Sequence, residues 1–137
     1  VKMKKKEDHE LLIYNKNFLD AWKNAFNGIK HGITSQINIR IQIVVGILMI
    51  LLGVYFGLSK IEWICLMFSI FLVLLAEMVN TAIEATVDLC TSEYHPKAKI
   101  AKDVAAGSVV ISVLNAVVLG IFLFGDKVVL FIINLIR

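Results

Sequence analysis

The chain has 137 residues, 58% of them hydrophobic, and a formal net charge of +3 at pH 7. Its mean hydropathy of +0.80 excludes an ordinary soluble domain, in which about 45–50% of residues are apolar. The basic residues lack the interleaved aromatics of a nucleic-acid-binding face, so nucleic acid is excluded as a partner.

Residues 1–15 form a basic N-terminal segment carrying Lys2, Lys4, Lys5 and Lys6. Its apolar stretch, Leu11 to Tyr14, is far too short for the hydrophobic region of a cleavable signal peptide, and none is expected. Across 17–33, Phe18, Leu19, Trp22, Phe26 and Ile29 recur at helical spacing with polar residues between them. That pattern predicts an amphipathic helix lying on a membrane surface. Gly28 and Gly32 are expected to weaken its end and allow the turn into the first span.

Three apolar stretches follow, read as transmembrane helices at 36–58, 61–90 and 99–124. The stretch 41–59 is uncharged, with Gln42 its only strongly polar side chain. The uncharged run 63–76 reaches the roughly 20 residues needed to cross hydrocarbon only if the acidic turns after it continue the same helix. Pro96 sits in a polar connection, Ser92 to Lys97. In the third span, the small residues Ala105, Ala106, Gly107 and Ser108 allow close helix approach, and Asn115 predicts an interhelical hydrogen bond. The apolar extension 126–137 is too short to cross alone; it either prolongs the third span or lies at the interface. Cys65 and Cys90 are about 37 Å apart on one helix, cannot pair, and read as packing residues. The expected fold is therefore all-α: one integral-membrane domain with a surface helix and three spans.

Basic residues set the orientation. Lys2, Lys4, Lys5, Lys6, Lys16, Lys23, Lys30 and Arg40 precede the first span, and Lys97, Lys99 and Lys102 lie between the second and third. The opposite side has only Lys60, Lys127 and Arg137. The positive-inside rule puts the N-terminus and the 89–103 connection in the cytoplasm.

The segment Ala76 to Asp88 (AEMVNTAIEATVD) carries the chemistry. Glu77, Asn80, Glu84 and Asp88 fall within about 80° of one helix face, with Glu77 and Glu84 roughly 10 Å apart along the axis. A carboxylate near lipid tails costs on the order of 2.5–3.5 kcal/mol on insertion scales, so a stripe of them marks function. One acid of such a pair can bind a divalent cation while the other accepts a proton. Lys97, Lys99 and Lys102 are suited to phosphate. Phosphoryl transfer needs this set, yet no Walker A or kinase-type glycine-rich loop is present. A transporter or channel with an embedded carboxylate would look similar.

The runs AEMVNTAIEATVDL, SEYHPKAK at 92–99 and AKDVAAGSV at 101–109 closely resemble the prokaryotic diacylglycerol kinase family, in particular its Gram-positive undecaprenol kinase branch. The resemblance implies a homotrimer in the cell membrane, with sites shared between neighbours, MgATP as donor and a lipid alcohol as acceptor. It implies Glu77 as general base and Glu84 as ligand of Mg²⁺ or another divalent cation. It further implies nucleotide contacts from Asn80, Glu84, Glu93, Tyr94, His95, Lys102 and Asp103, with Asp88 and Asn38 behind them. The expected reaction is ATP-dependent phosphorylation of undecaprenol. The alternatives are a diacylglycerol kinase making phosphatidic acid and a catalytically weakened membrane subunit or sensor. One departure stands out: the family's pattern has a metal-binding Glu where this chain has Gln36, and a His where it has Gln42, around a matching Asn38. Gln36 keeps a carbonyl oxygen but no charge, so weaker metal binding is expected.

Overall fold

The computed structural model describes residues 18–136, and the basic segment 1–15 lies outside them. The first helix, α1 (Phe18–Ser35), carries Phe18, Trp22 and Phe26 at i, i+4 spacing. Their rings touch in series, with centroids 6.0 and 6.1 Å apart. All three remain exposed, as an apolar face meant for lipid would be. Neither Gly28 nor Gly32 ends the helix. Gly32 is instead buried against α3, where an added Cβ would come within 2.5 Å of Met78 Sδ. Its role is close approach, and the helix runs on to Ser35.

A single extended residue, Gln36 (φ −107°, ψ 119°), separates α1 from α2 (Ile37–Phe56). Gly57 closes α2 in the left-handed region at φ 65°, where the Gly57 amide donates to Val54 O and the Leu58 amide to Gly53 O. This is the glycine cap that side chains with a Cβ disfavour. The next helix, α3 (Lys60–Cys90), starts from a reciprocal cap. The Glu62 amide donates to Ser59 Oγ and the Ser59 amide to Glu62 Oε2, satisfying two free helix-end donors.

The last helix, α4 (Pro96–Ile136), begins with proline at its first position, where no amide hydrogen is needed. It passes through Gly125 without interruption, so residues 126–136 prolong the third span. At 1.5 Å per residue it is about 61 Å long, roughly twice the hydrocarbon thickness.

The helices α2, α3 and α4 are each long and apolar enough to cross a membrane. The core is small: Leu58, Leu66, Leu123 and Phe124 are buried, with Met49, Phe56 and Trp63 packed against them. Most other large apolar side chains face outward, including Ile47, Leu51, Phe68 and Phe122. Water would penalise such a surface and lipid tails would not. The chain is an all-α membrane protein.

The helix α3 packs against both of its spanning neighbours. At one end of the bundle, Phe131 of α4 meets Tyr55 and Phe56 of α2, at 6.0 and 6.4 Å. There Lys127 Nζ also pairs with Glu62 Oε1 at 2.8 Å, tying α4 to the start of α3.

Three sequence expectations change. Of the four small residues in 105–108, only Ala105 is buried, and a Cβ on Gly107 would meet nothing within 4 Å. Asn115 is exposed and has no hydrogen-bond partner among the described residues. Cys65 is half-buried as expected, but Cys90, the last residue of α3, is exposed.

A candidate active site around Glu77

At the end of the bundle where α2 begins and α3 finishes, Glu77 is buried at 2% exposure. Asn38 Nδ2 donates to Glu77 Oε1 at 3.0 Å, and Gln42 Nε2 donates to Oε2 at 3.2 Å. Asn38 and Gln42 lie four residues apart, one turn of α2, so both amides face the same point on α3. A buried carboxylate needs its oxygens hydrogen-bonded, or it is expelled or neutralised. Here amides, not cations, do this. Each oxygen keeps a lone pair for a proton.

One turn further along α3, Asn80 is also buried and its Nδ2 donates to Glu84 Oε1 at 3.1 Å. The other amide atom, Asn80 Oδ1, is buried without a partner, as is Gln42 Oε1. A buried acceptor left unpaired costs about 1–3 kcal/mol. An orphaned oxygen beside a carboxylate fits a cation, and Mg²⁺ is usually held by one or two protein oxygens plus phosphate oxygens and water. Glu84 and Asn80 Oδ1 would be the residues to hold it. Among the described residues no set of three His, Cys, Asp or Glu side chains converges. Gln36, the residue before α2, makes no capping hydrogen bond with its side chain.

The other sequence-selected residues lie in the last turn of α3 and beyond it. Asp88 Oδ1 pairs with Lys102 Nζ at 2.5 Å, linking α3 to α4, while Asp103 Oδ2 pairs with Lys99 at 2.5 Å. Lys102 and Asp103 thus turn to different partners. The Glu93 backbone is held by Thr91, whose hydroxyl accepts from the Glu93 amide and donates to its carbonyl. Tyr94 is 80% exposed. His95 caps α4, its Nδ1 accepting from the Lys97 amide at 3.2 Å. A shallow depression of about 380 Å³ beside His95 is lined by Thr86, Cys90 and Lys97, among others, and by none of the acidic stripe. Within one chain, Glu77, Asn38, Asn80 and Glu84 come together. Glu93, Tyr94, His95 and Lys102 do not join them.

Gln42 was legible in the sequence as a lone polar residue in an apolar span, standing where the family's pattern has a His, and its bond to Glu77 makes it part of the site. Ser69, buried with an unpartnered hydroxyl, carried no sequence signal beyond being polar in an apolar run. Glu62 was equally silent until the fold set Lys127 beside it.

The spans and the carboxylate–amide cluster define an integral-membrane protein with a buried, hydrogen-bonded carboxylate between two of its helices. Residues 23–124 match the family model described as prokaryotic diacylglycerol kinase. The chain is 36% identical over 105 residues to a diacylglycerol kinase of Synechocystis sp., a match covering 76% of this chain and 60% of that one. It is 34% identical over 110 residues to the undecaprenol kinase of Bacillus subtilis, covering 80% and 89% of the two. Against the diacylglycerol kinase of Escherichia coli it is 31% identical over 98 residues, covering 72% and 77%. The chain belongs to the prokaryotic diacylglycerol kinase family, a class of membrane lipid kinases.

Proposed function

We propose that the protein transfers the γ-phosphoryl group of MgATP to the hydroxyl of a membrane lipid alcohol, undecaprenol in preference to diacylglycerol. It would do so from the cytoplasmic face of the cell membrane and as a homotrimer. The observation that carries this reading is the buried Glu77 carboxylate, held by two amides and about two turns of α3 from Glu84 on the same face.

Glu77 is the general base. With Oε1 and Oε2 fixed by Asn38 and Gln42, it accepts the hydroxyl proton as the lipid oxygen attacks the γ-phosphorus. The phosphorus–oxygen bond to ADP breaks as the bond to the lipid oxygen forms. A divalent cation bound at Glu84 and Asn80 Oδ1 would neutralise the phosphate charge that builds during transfer. Asn80 orients Glu84 through its Nδ2. Lys102 and the 93–95 turn stand apart from Glu84 in a single chain, which favours a site completed by a neighbouring copy. The eleven basic residues that precede the first span or lie between the second and third favour the cytoplasmic orientation. The likeness to the Bacillus subtilis undecaprenol kinase over 89% of that chain favours the polyprenol acceptor.

Purified protein in lipid nanodiscs, given ATP, Mg²⁺ and either undecaprenol or diacylglycerol, tests the assignment. Phosphorylated undecaprenol should form faster. Preference for diacylglycerol would reverse the acceptor assignment, and phosphorylation of neither lipid would overturn the function.

A further inference from the structure

Asn115 lies near the middle of the uncharged stretch 104–125 of α4, about 17 Å along the axis from Asp103 and from Asp126. Its amide is exposed and has no hydrogen-bond partner among the described residues. At that depth a bilayer holds no water, and so short a side chain reaches neither interface. An amide left in hydrocarbon without a hydrogen bond is unfavourable. The other amide and hydroxyl side chains of the uncharged stretches 41–54, 63–76 and 104–125 are placed differently. Gln42, Ser69 and Ser112 are buried or half-buried, and Ser108, two turns nearer Asp103, donates to Ala105 O at 2.6 Å. Ser108, Ile111, Asn115, Val118 and Phe122 fall within about 80° of one face of α4, and all five are exposed.

We propose that this face of α4 docks against the same face of α4 in a second copy of the chain, with the two Asn115 amides hydrogen-bonded to each other. Depth and chemistry both favour a second copy. Copies inserted in one orientation carry Asn115 at the same depth, so each amide meets its own image. A carboxamide has two donors and an acceptor, so it is complementary to itself. Lipid tails offer neither. Ser108 is small and lets the two backbones approach beside the amides, as small residues do at helix contacts in membranes. The interhelical hydrogen bond that an amide in a span implies is then made between copies instead of within one. This rests on the common orientation of the copies in the proposed homotrimer and draws on none of the kinase chemistry.

Cross-linking in membranes tests the contact. In the full-length chain with Cys65→Ala and Cys90→Ala, one variant adds Asn115→Cys and a control adds Leu114→Cys. Leu114 is also exposed but points about 100° away around the helix. A disulfide needs Cα atoms within about 7 Å, so under copper-phenanthroline oxidation Asn115→Cys should join two copies about fivefold faster than the control, or more. Equal rates, or no cross-link at either position, would overturn the contact. A trimer still seen by native mass spectrometry would then leave the homotrimer standing, and a monomer would remove both. Without oxidation, Asn115→Leu should raise the dissociated fraction in dilute detergent about threefold, while Asn115→Gln, which keeps the carboxamide, should stay near the parent. An Asn115→Leu chain that dissociates no more than the parent would place the amide against lipid and overturn the contact as well.

Discussion

Glu77 and Lys102, the side chains proposed to serve as base and to meet phosphate, sit in opposite surroundings. The carboxylate is buried and bonded at both oxygens by one turn of α2, so one chain builds its surroundings completely. Lys102 pairs with Asp88 in an exposed bridge near the connection, where water and salt weaken the attraction. On the proposed reading, the acceptor end is thus held by hydrogen bonds within one chain, while the donor end is a set of exposed surface pairs. A base must sit within hydrogen-bond reach of one proton, whereas phosphate can be met by flexible cations.

The comparison breaks most visibly at Glu77. In Glu77→Gln the volume and an acceptor oxygen remain but the base is gone, and turnover should fall by about 10²–10⁴-fold. Folding should survive, as judged by Tm and native mass spectrometry. Turnover within threefold of the parent would remove Glu77 from the chemistry.

A smaller effect is expected where the two regions meet. Gln36→Glu places a negative charge just before α2, and should lower the Mg²⁺ concentration for half-maximal activity by about tenfold. Titrating Mg²⁺ at saturating ATP measures it. An unchanged midpoint would show that Gln36 stands outside the cation's reach.

The smallest structural effect belongs to the exposed pair. Lys102→Ala should cost less than about 1 kcal/mol of stability, the range for surface ion pairs, and be nearly silent in Tm. If Lys102 meets phosphate, KM for ATP should rise severalfold all the same. A silent KM would leave it a surface bridge and nothing more.

Much of the fold was legible because hydrocarbon imposes a simple rule: long apolar runs must become helices that satisfy their own backbone groups. Hence α2 and α3 begin and end within a few residues of their expected bounds. Gly32 misled because a glycine in a helical pattern reads as a weakness. Its meaning came from Met78, 46 positions away in the chain. Asn115 misled for the converse reason: an amide in a span implies a partner, and it meets none among the described residues.

By itself the sequence determined the number of spans, the amphipathic first helix and the single face shared by Glu77, Asn80, Glu84 and Asp88. Those follow from local periodicity, which the backbone enforces wherever the chain is placed. Only the tertiary structure decided that Asn38 and Gln42 hold Glu77 and that α4 runs unbroken to Ile136. Such contacts depend on how α2 and α4 lean against α3, a rigid-body relation that no stretch of neighbouring residues encodes.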